Sequence, residues 1–327
     1  MRHCALFLSA VLLAVSCGQA HQGPITVNID RAMKKPFSTR DLYARADAIP
    51  LHCPDGTVFG REGHGVMDIA ADRFFLLDKE KNGILVFDWD GIYITTVKSE
   101  QAIIDFSVYQ ERILDVLTEN AITEYATKDG ALLESYPLRN GEMILKSVAR
   151  VDEDSIALLG CLDGEMYDCG YLIDRNYFYS LPRPAPDYLL THATVPASEM
   201  QDSRYFRCGD AVYSFLSRSG QIDRFTGNDF IVPAYQWDFG KRSPTFTNAQ
   251  KSADLVYLAF DLDGQRLVLI YDLKDGDYKI VRQTDFPLGV IYDGSYYYCC
   301  SASRLPDLLH SALPEETSGP VIIRYAL

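Results

Sequence analysis

The sequence predicts an all-β chain folded as a six-bladed β-propeller, and three observations carry that expectation. The first is a recurring hairpin: an apolar strand, a short polar turn and a second strand. It is legible at 84–97 (ILVFDWDGIYITTV), 121–136 (AITEYATKDGALLESY), 170–181 (GYLIDRNYFYSL), 220–235 (GQIDRFTGNDFIVPAY) and 266–281 (RLVLIYDLKDGDYKIV). The second is the interval between copies, roughly 40 to 50 residues, which is the repeat length of propeller blades. The third is composition. With 47% hydrophobic, 12% aromatic and 23% charged residues, the chain can bury a large core and does not read as disordered.

A blade is four antiparallel strands, the innermost beside a central channel. Blade 1 is expected over 65–97, with strands near 66–70, 73–78, 84–88 and 92–97. Blades 2 to 5 follow at 102–138, 143–181, 204–239 and 245–283. The sixth begins at 286, continues through 296–300 and finishes at 321–325, one strand short. Near the start, 44–52 (ARADAIPLH) reads as a lone strand. Placing it as the outer strand of blade 6 closes the ring and removes a free sheet edge. Two segments interrupt the rhythm: 182–203, rich in proline and polar residues, and 305–313, where Leu305, Leu308, Leu309 and Ala312 recur at helical spacing. Both are expected as loops on one face of the disc, where long connections often carry function.

Residues 1–16 have the form of an export signal. Arg2 supplies a basic start, and 5–15 is an apolar run too short to span a bilayer. The tetrapeptide 14–17 (AVSC) resembles a bacterial lipobox, with Ala14 in place of the usual leucine, which makes Cys17 the expected lipidated N-terminus of the mature chain and 17–41 a tether to a propeller at 42–327, ordinary cleavage after Ala20 being the alternative. Each buried acyl methylene contributes ~0.8 kcal/mol, so two or three chains hold a protein on a membrane. Loss of Arg2 with the leader leaves 30 basic against 45 acidic residues, a net charge of −15 with histidines neutral. No basic run reverses this locally, which argues against nucleic acid and anionic membrane as partners.

After Cys4 and Cys17, six cysteines remain. Their spacing matches no zinc pattern, so no metal and no cofactor is expected. Cys161 and Cys169 flank the turn 162–168 and form the candidate disulfide. Cys299 and Cys300, adjacent on a strand, point to opposite faces and read as buried thiols.

Aligning the inner strands places one polar residue among apolar neighbours in five blades: Asp68 (VMDIA), Asp105 (IIDFS), Lys146 (ILKSV), Arg207 (YFRCG) and Asn248 (FTNAQ). Facing the axis, they form a candidate ligand-binding ring. Asp68, Asp105 and Asn248 offer oxygen ligands of the kind calcium takes, while Lys146 and Arg207 fit a zwitterionic or anionic group better. A second candidate cluster, Arg61, Glu62 and His64, lies in the glycine-rich stretch 60–65 (GREGHG). The nucleophile elbow, the phosphate loop and the His-Glu-x-x-His signature are all missing, so no catalytic residue is assigned.

In the stretches 47–51 (DAIPL), 84–91, 211–235 followed by 236–241 (QWDFGK), and 319–325 (GPVIIRY), the chain resembles the six-bladed β-propeller lipoproteins of the Bacteroides type, from about residue 41 to the C-terminus. That resemblance implies the fold and an outer-membrane envelope location, and it carries over no active residues. The glycine-rich loop usual after the family's first blade is replaced here by the short 96–101. After Cys17, residues 18–22 (GQAHQ) lack the acidic residues linked to surface export in such lipoproteins, which leans toward the periplasmic face without deciding it. Two functions are therefore expected: a monomeric scaffold binding a glycan, peptide or envelope protein, or a lactonase- or lyase-like enzyme with calcium at the channel.

Overall fold

A computed structural model describes residues 23–34, 46–54, 67–70, 72–138, 144–162, 165–172, 177–180, 202–225, 231–282, 289–305, 309, 313 and 319–326. The described chain is an all-β propeller. Sheet 1 comprises Met67–Ala70, Arg73–Asp78, Gly83–Asp88 and Tyr93–Lys98, and sheet 2 Asp105–Tyr109, Ile113–Leu117, Ala121–Ala126 and Leu132–Pro137. Sheet 3 is Ile144–Arg150, Ser155–Leu162, Glu165–Leu172 and Tyr177–Ser180, and sheet 4 is Arg204–Cys208, Ala211–Leu216, Gln221–Phe225 and Ile231–Tyr235. Sheet 5 is Thr245–Lys251, Leu255–Leu262, Gln265–Asp272 and Tyr278–Arg282. In sheet 6, Val290–Tyr292, Ser295–Ser301 and Pro320–Ala326 are completed by Ala46–Pro50, which pairs antiparallel with Pro320–Ala326. The innermost strands touch in a closed cycle, each beside that of the next sheet and the sixth beside the first.

The burial gradient within a sheet explains its sequence pattern. Middle strands such as Arg73–Asp78 (RFFLLD) and Gly83–Asp88 (GILVFD) are buried along almost their whole length. They are covered on both faces by neighbouring sheets and therefore read as continuous apolar runs rather than alternations. The rim strand Leu132–Pro137 is exposed at all but one position. The core accordingly consists of seams between sheets. Phe75 and Val86 meet Phe106 and Val116 between sheets 1 and 2. Phe74 and Phe87 meet Tyr297 and Ile322 between sheets 1 and 6. The 46–52 segment is pressed against sheet 1 at Gly91, whose φ of +79° and lack of a side chain are both required, since a Cβ there would lie 2.2 Å from the Pro50 carbonyl oxygen. His52 N donates to the Gly91 carbonyl across this contact at 2.9 Å.

The expected tether is partly docked. Ile25–Thr26 pairs in parallel with Trp237–Asp238, and one helical turn, Ile29–Ala32, follows, capped by the Asn28 side chain accepting from Arg31 N at 3.0 Å. Val27, Ile29 and Ala32 are buried in the seam between sheets 4 and 5. Asn28 N donates to the Tyr278 hydroxyl at 2.7 Å. The Ile29 and Ala32 pair, three residues apart, is short enough to have passed as linker in the sequence. Of the 305–313 segment, Leu305 and Leu309 are buried against sheet 6, while most of 182–203 lies outside the described residues.

The candidate disulfide is corrected by register. Cys161 stands opposite Met166 and Cys169 opposite Leu158, so the two cysteines are three positions out of step along the hairpin. That displacement is about 10 Å along the strand, beyond the reach of a disulfide. Cys161 and Cys299 are free, buried thiols, and Cys300 is buried as well.

Because the 23–34 strap fills a seam, Ile29→Ala should destabilise the fold by about 2–4 kcal/mol, in the range of buried isoleucine truncations. Denaturant unfolding of the variant beside the parent checks this, with Met33→Ala, on the exposed side of the strap, expected to change little.

Candidate functional site

Every innermost strand has a free edge, and its backbone N–H groups need acceptors where water is excluded. Side chains of the preceding sheet supply them. Asp68 accepts from Val108 N of sheet 2 at 2.9 Å through Oδ2 and from Ile69 N at 2.8 Å through Oδ1. Asp105 of sheet 2 accepts with Oδ2 from Val148 N of sheet 3 at 3.1 Å and from Ser147 Oγ at 2.5 Å. Ser147 Oγ in turn accepts from Tyr205 N of sheet 4 at 3.0 Å. Sheets 1 to 4 are thus fastened in series near the axis.

Burial raises the pKa of both carboxyls, opposed by these hydrogen bonds and, more weakly, by arginines. Asp68 moves up, with Arg207 and Arg204 as its opposing charges, and Asp105 rises to about 6. Arg204 and Arg207 sit on opposite pleat faces of the inner strand of sheet 4. Burial lowers both guanidinium pKa values, and the carboxylates facing them oppose it: Asp105 and Asp68 for Arg204, Asp68 and Asp115 for Arg207. Arg207 Nη2 donates to the Arg150 carbonyl, and its guanidinium lies 5.2 Å from the Tyr109 ring centroid. The Nε of each arginine is buried without a hydrogen-bond partner.

Between sheets 2 and 3 a second charge cluster is closed on itself. Arg150 grips Asp115 in bidentate fashion, Nε to Oδ2 at 3.0 Å and Nη2 to Oδ1 at 2.7 Å, and also reaches Glu124 Oε1. Asp115 and Glu124 are cross-strand partners. All three side chains are at most 10% exposed. This triad ties two sheets together and fills the Arg150 fork.

Of the five expected ring residues, Asp68 is influenced by Arg207 and Arg204, and Asp105 by Arg204. Lys146 lies outside this set. It occupies the register shift between Leu145 and Ser147, so the strand's alternation changes phase there and Ser147 takes the place expected of Lys146. Asn248 follows a similar shift after Phe246, and its Oδ1 is buried without a partner. No described hydrogen bond or ion pair joins it to the other four. Arg61, Glu62, His64 and Cys17 lie outside the described residues. The sequence reading missed Ser147, Arg204 and the Arg150–Asp115–Glu124 triad. Arg204 opens the same strand three residues before Arg207 on the opposite pleat face, so reading one face of the strand passes it over.

No protein-family model matches the chain, and no curated protein matches its sequence. Solved structures do match in fold. A protein described as exported, from Bacteroides fragilis, is 11% identical with a TM-score of 0.68, covering 93% of this chain and 99% of that one. A member of the DUF4221 family from Bacteroides vulgatus is 7% identical at a TM-score of 0.55, covering 86% and 95%. A streptogramin B lyase is 12% identical at 0.50, covering 77% and 79%. At these identities the likeness is one of fold. Among the described residues, no helix is long and apolar enough to cross a membrane.

Two outcomes follow. Between pH 3.8 and about 6 the folded chain holds a proton on Asp105 that the unfolded chain has released, so stability falls as pH rises through that window. The two-unit displacement corresponds to about 3 kcal/mol. Asp105→Asn should flatten the pH dependence of unfolding free energy by up to that amount between pH 4 and 7, as measured by denaturant titrations. Arg150→Met should cost about 3–5 kcal/mol by stranding two buried carboxylates, and adding Asp115→Leu and Glu124→Leu should recover most of it, read by the same unfolding assay.

Proposed function

We propose that the chain is an envelope lipoprotein whose six sheets form one six-bladed ring closed by the strand Ala46–Pro50, working as a binding propeller for a glycan, peptide or envelope protein. The observation that carries this reading is the use of Asp68 and Asp105. A calcium-dependent hydrolase of this architecture needs axial carboxylates free to ligate, whereas here their oxygens hold backbone N–H groups of the next sheet. Stripping those bonds to bind a cation would unfasten the sheets. The closed cycle of inner strands and the pairing of Ala46–Pro50 support the ring.

The anchor reading gains a geometric consequence from the docked strap. From Cys17 to Gly23 the chain can extend only about 20 Å. A lipid on Cys17 would therefore hold the rim at sheets 4 and 5 beside the membrane, rather than leave the disc on a long tether. The lactonase- or lyase-like alternative rests on shared fold alone.

Thermal unfolding of the chain from residue 22 onward, against calcium, chelator, oligosaccharides and peptides, tests the proposal. Ligand at ~100 times its dissociation constant stabilises by about 2.7 kcal/mol, a midpoint shift of a few degrees. A shift with an oligosaccharide or peptide and none with calcium is the expected result. A calcium-induced shift reversed by chelator would transfer support to the enzyme.

A further inference from the structure

We propose that Cys208 and Lys251 form a redox-modification site, in which peroxide oxidises the Cys208 thiol and the Lys251 amine captures the oxidised sulfur as a sulfur–nitrogen cross-link between sheets 4 and 5. Each residue is the last of an inner strand: Cys208 ends Arg204–Cys208 and Lys251 ends Thr245–Lys251. Lys251 Nζ donates to Cys208 Sγ at 3.8 Å. The same ammonium donates to the Ser252 carbonyl at 2.7 Å and stands 5.9 Å from the Tyr213 ring centroid. Among the described residues these three contacts hold it, and no carboxylate pairs with it.

The neighbouring amine singles Cys208 out among the cysteines. Cys161, Cys299 and Cys300 are buried. Cys53 is partly exposed, as Cys208 is, but burial pushes its thiol up to about 11, which leaves little of the thiolate that oxidants attack. Cys208 thus combines access for a small oxidant with a nucleophile already in contact with its sulfur.

Position gives the link a structural consequence. Sheets 1 to 4 are fastened in series by side chains that accept an N–H of the next inner strand. Among the described residues, the contact of Lys251 with Cys208 is the one hydrogen bond between the inner strands of sheets 4 and 5. Cys208 also packs against the apolar seam in which Val27, Ile29 and Ala32 of the strap are buried. A covalent bond here carries the fastening on to sheet 5 at the seam the strap occupies.

The chemistry balances with hydrogen peroxide as oxidant. The thiol sulfur attacks one peroxide oxygen as the O–O bond breaks, giving a sulfenic acid and one water. Lys251, its ammonium proton released to solvent, then attacks that sulfur through its lone pair. The S–N bond forms as the S–O bond breaks, and the departing hydroxide takes up a proton as the second water. Sulfur is oxidised by two electrons, peroxide is reduced to two waters, and the protein loses two hydrogens. An added dithiol supplies the two electrons and two hydrogens that reverse the link.

Treating the folded full chain with hydrogen peroxide, blocking thiols and digesting with trypsin without reduction tests this by mass spectrometry. The expected product is peptide 208–218 joined to peptide 243–266, uncut at Lys251, about 2 Da lighter than the two peptides together and separated by dithiothreitol. Lys251→Arg keeps the positive charge but supplies no attacking amine. In that variant the linked pair should be missing, and labelling of Cys208 by dimedone, which traps sulfenic acid, should rise several-fold over the parent. The digest of the parent decides the matter even where the variant fails to fold. Cys208 left unoxidised, Cys208 advancing to sulfinic acid with no linked peptide, a link from Cys208 to a different amine, or equal dimedone labelling in parent and variant would each overturn the site.

Discussion

The structure depends on how the free inner edges of its sheets are satisfied. A ring of radial sheets leaves one strand of each sheet unpaired at the axis, where neighbouring sheets crowd out water. Unmet backbone donors there carry a desolvation penalty of roughly 1–3 kcal/mol each. Among the described residues, sheets 1 to 4 answer with one device: a short polar side chain on one inner strand accepts the N–H of the next, Asp68 to Val108, Asp105 to Val148 and Ser147 to Tyr205. Aspartate and serine suit this because their reach matches the gap between adjacent inner strands without loose rotamers to order. Burying two carboxyls in this role has an electrostatic consequence, and the arginines of sheet 4 lie where they offset it.

The apolar seams then set the order of the sheets. Each seam is built from residues of two consecutive sheets, and the middle strands contribute to two seams at once. Phe74 faces Tyr297 of sheet 6 while its neighbour Phe75 faces sheet 2. A middle strand is therefore apolar at successive positions, and rim strands relax toward polar. This is why the architecture was legible: recurring apolar hairpins at a constant interval follow directly from wedge-shaped sheets packed face to face. The lone segment 44–52 was legible for the same reason, since a strand with no sequential partner has to pair elsewhere, and it pairs at 46–50.

The axial site was only partly legible, and the reason is the pleat. Reading a channel residue from a strand assumes unbroken alternation, and the inner strands of sheets 3 and 5 contain register shifts. Across such a shift the face of every later residue reverses, so Lys146 was picked where Ser147 acts. Asp68, Asp105 and Arg207 lie in strands without a shift against their neighbours, and the first two accept backbone N–H groups of the next sheet. The Arg150–Asp115–Glu124 triad was invisible for a different cause. Its members come from three strands of two sheets, and no local pattern in the sequence joins positions 115, 124 and 150. Likewise the 161 and 169 cysteines looked paired by spacing alone, although only the hairpin register decides which residues face each other.

The strap and the axis divide the labour of the chain in a way that bears on function. The chain carries a formal charge of −14, so its surface repels anions, a repulsion that salt screens beyond about one Debye length. At the axis, by contrast, two arginines stand where the fastening carboxylates have already committed their oxygens. If Arg204 and Arg207 served only to balance Asp68 and Asp105, the economical arrangement would be direct ion pairs of the kind Arg150 makes with Asp115. Such pairing would draw the carboxylates off Val108 and Val148 and loosen the inner edges. The geometry that holds the sheets together thus keeps Asp68 and Asp105 on backbone N–H groups and leaves the Nε of both arginines without a hydrogen-bond partner.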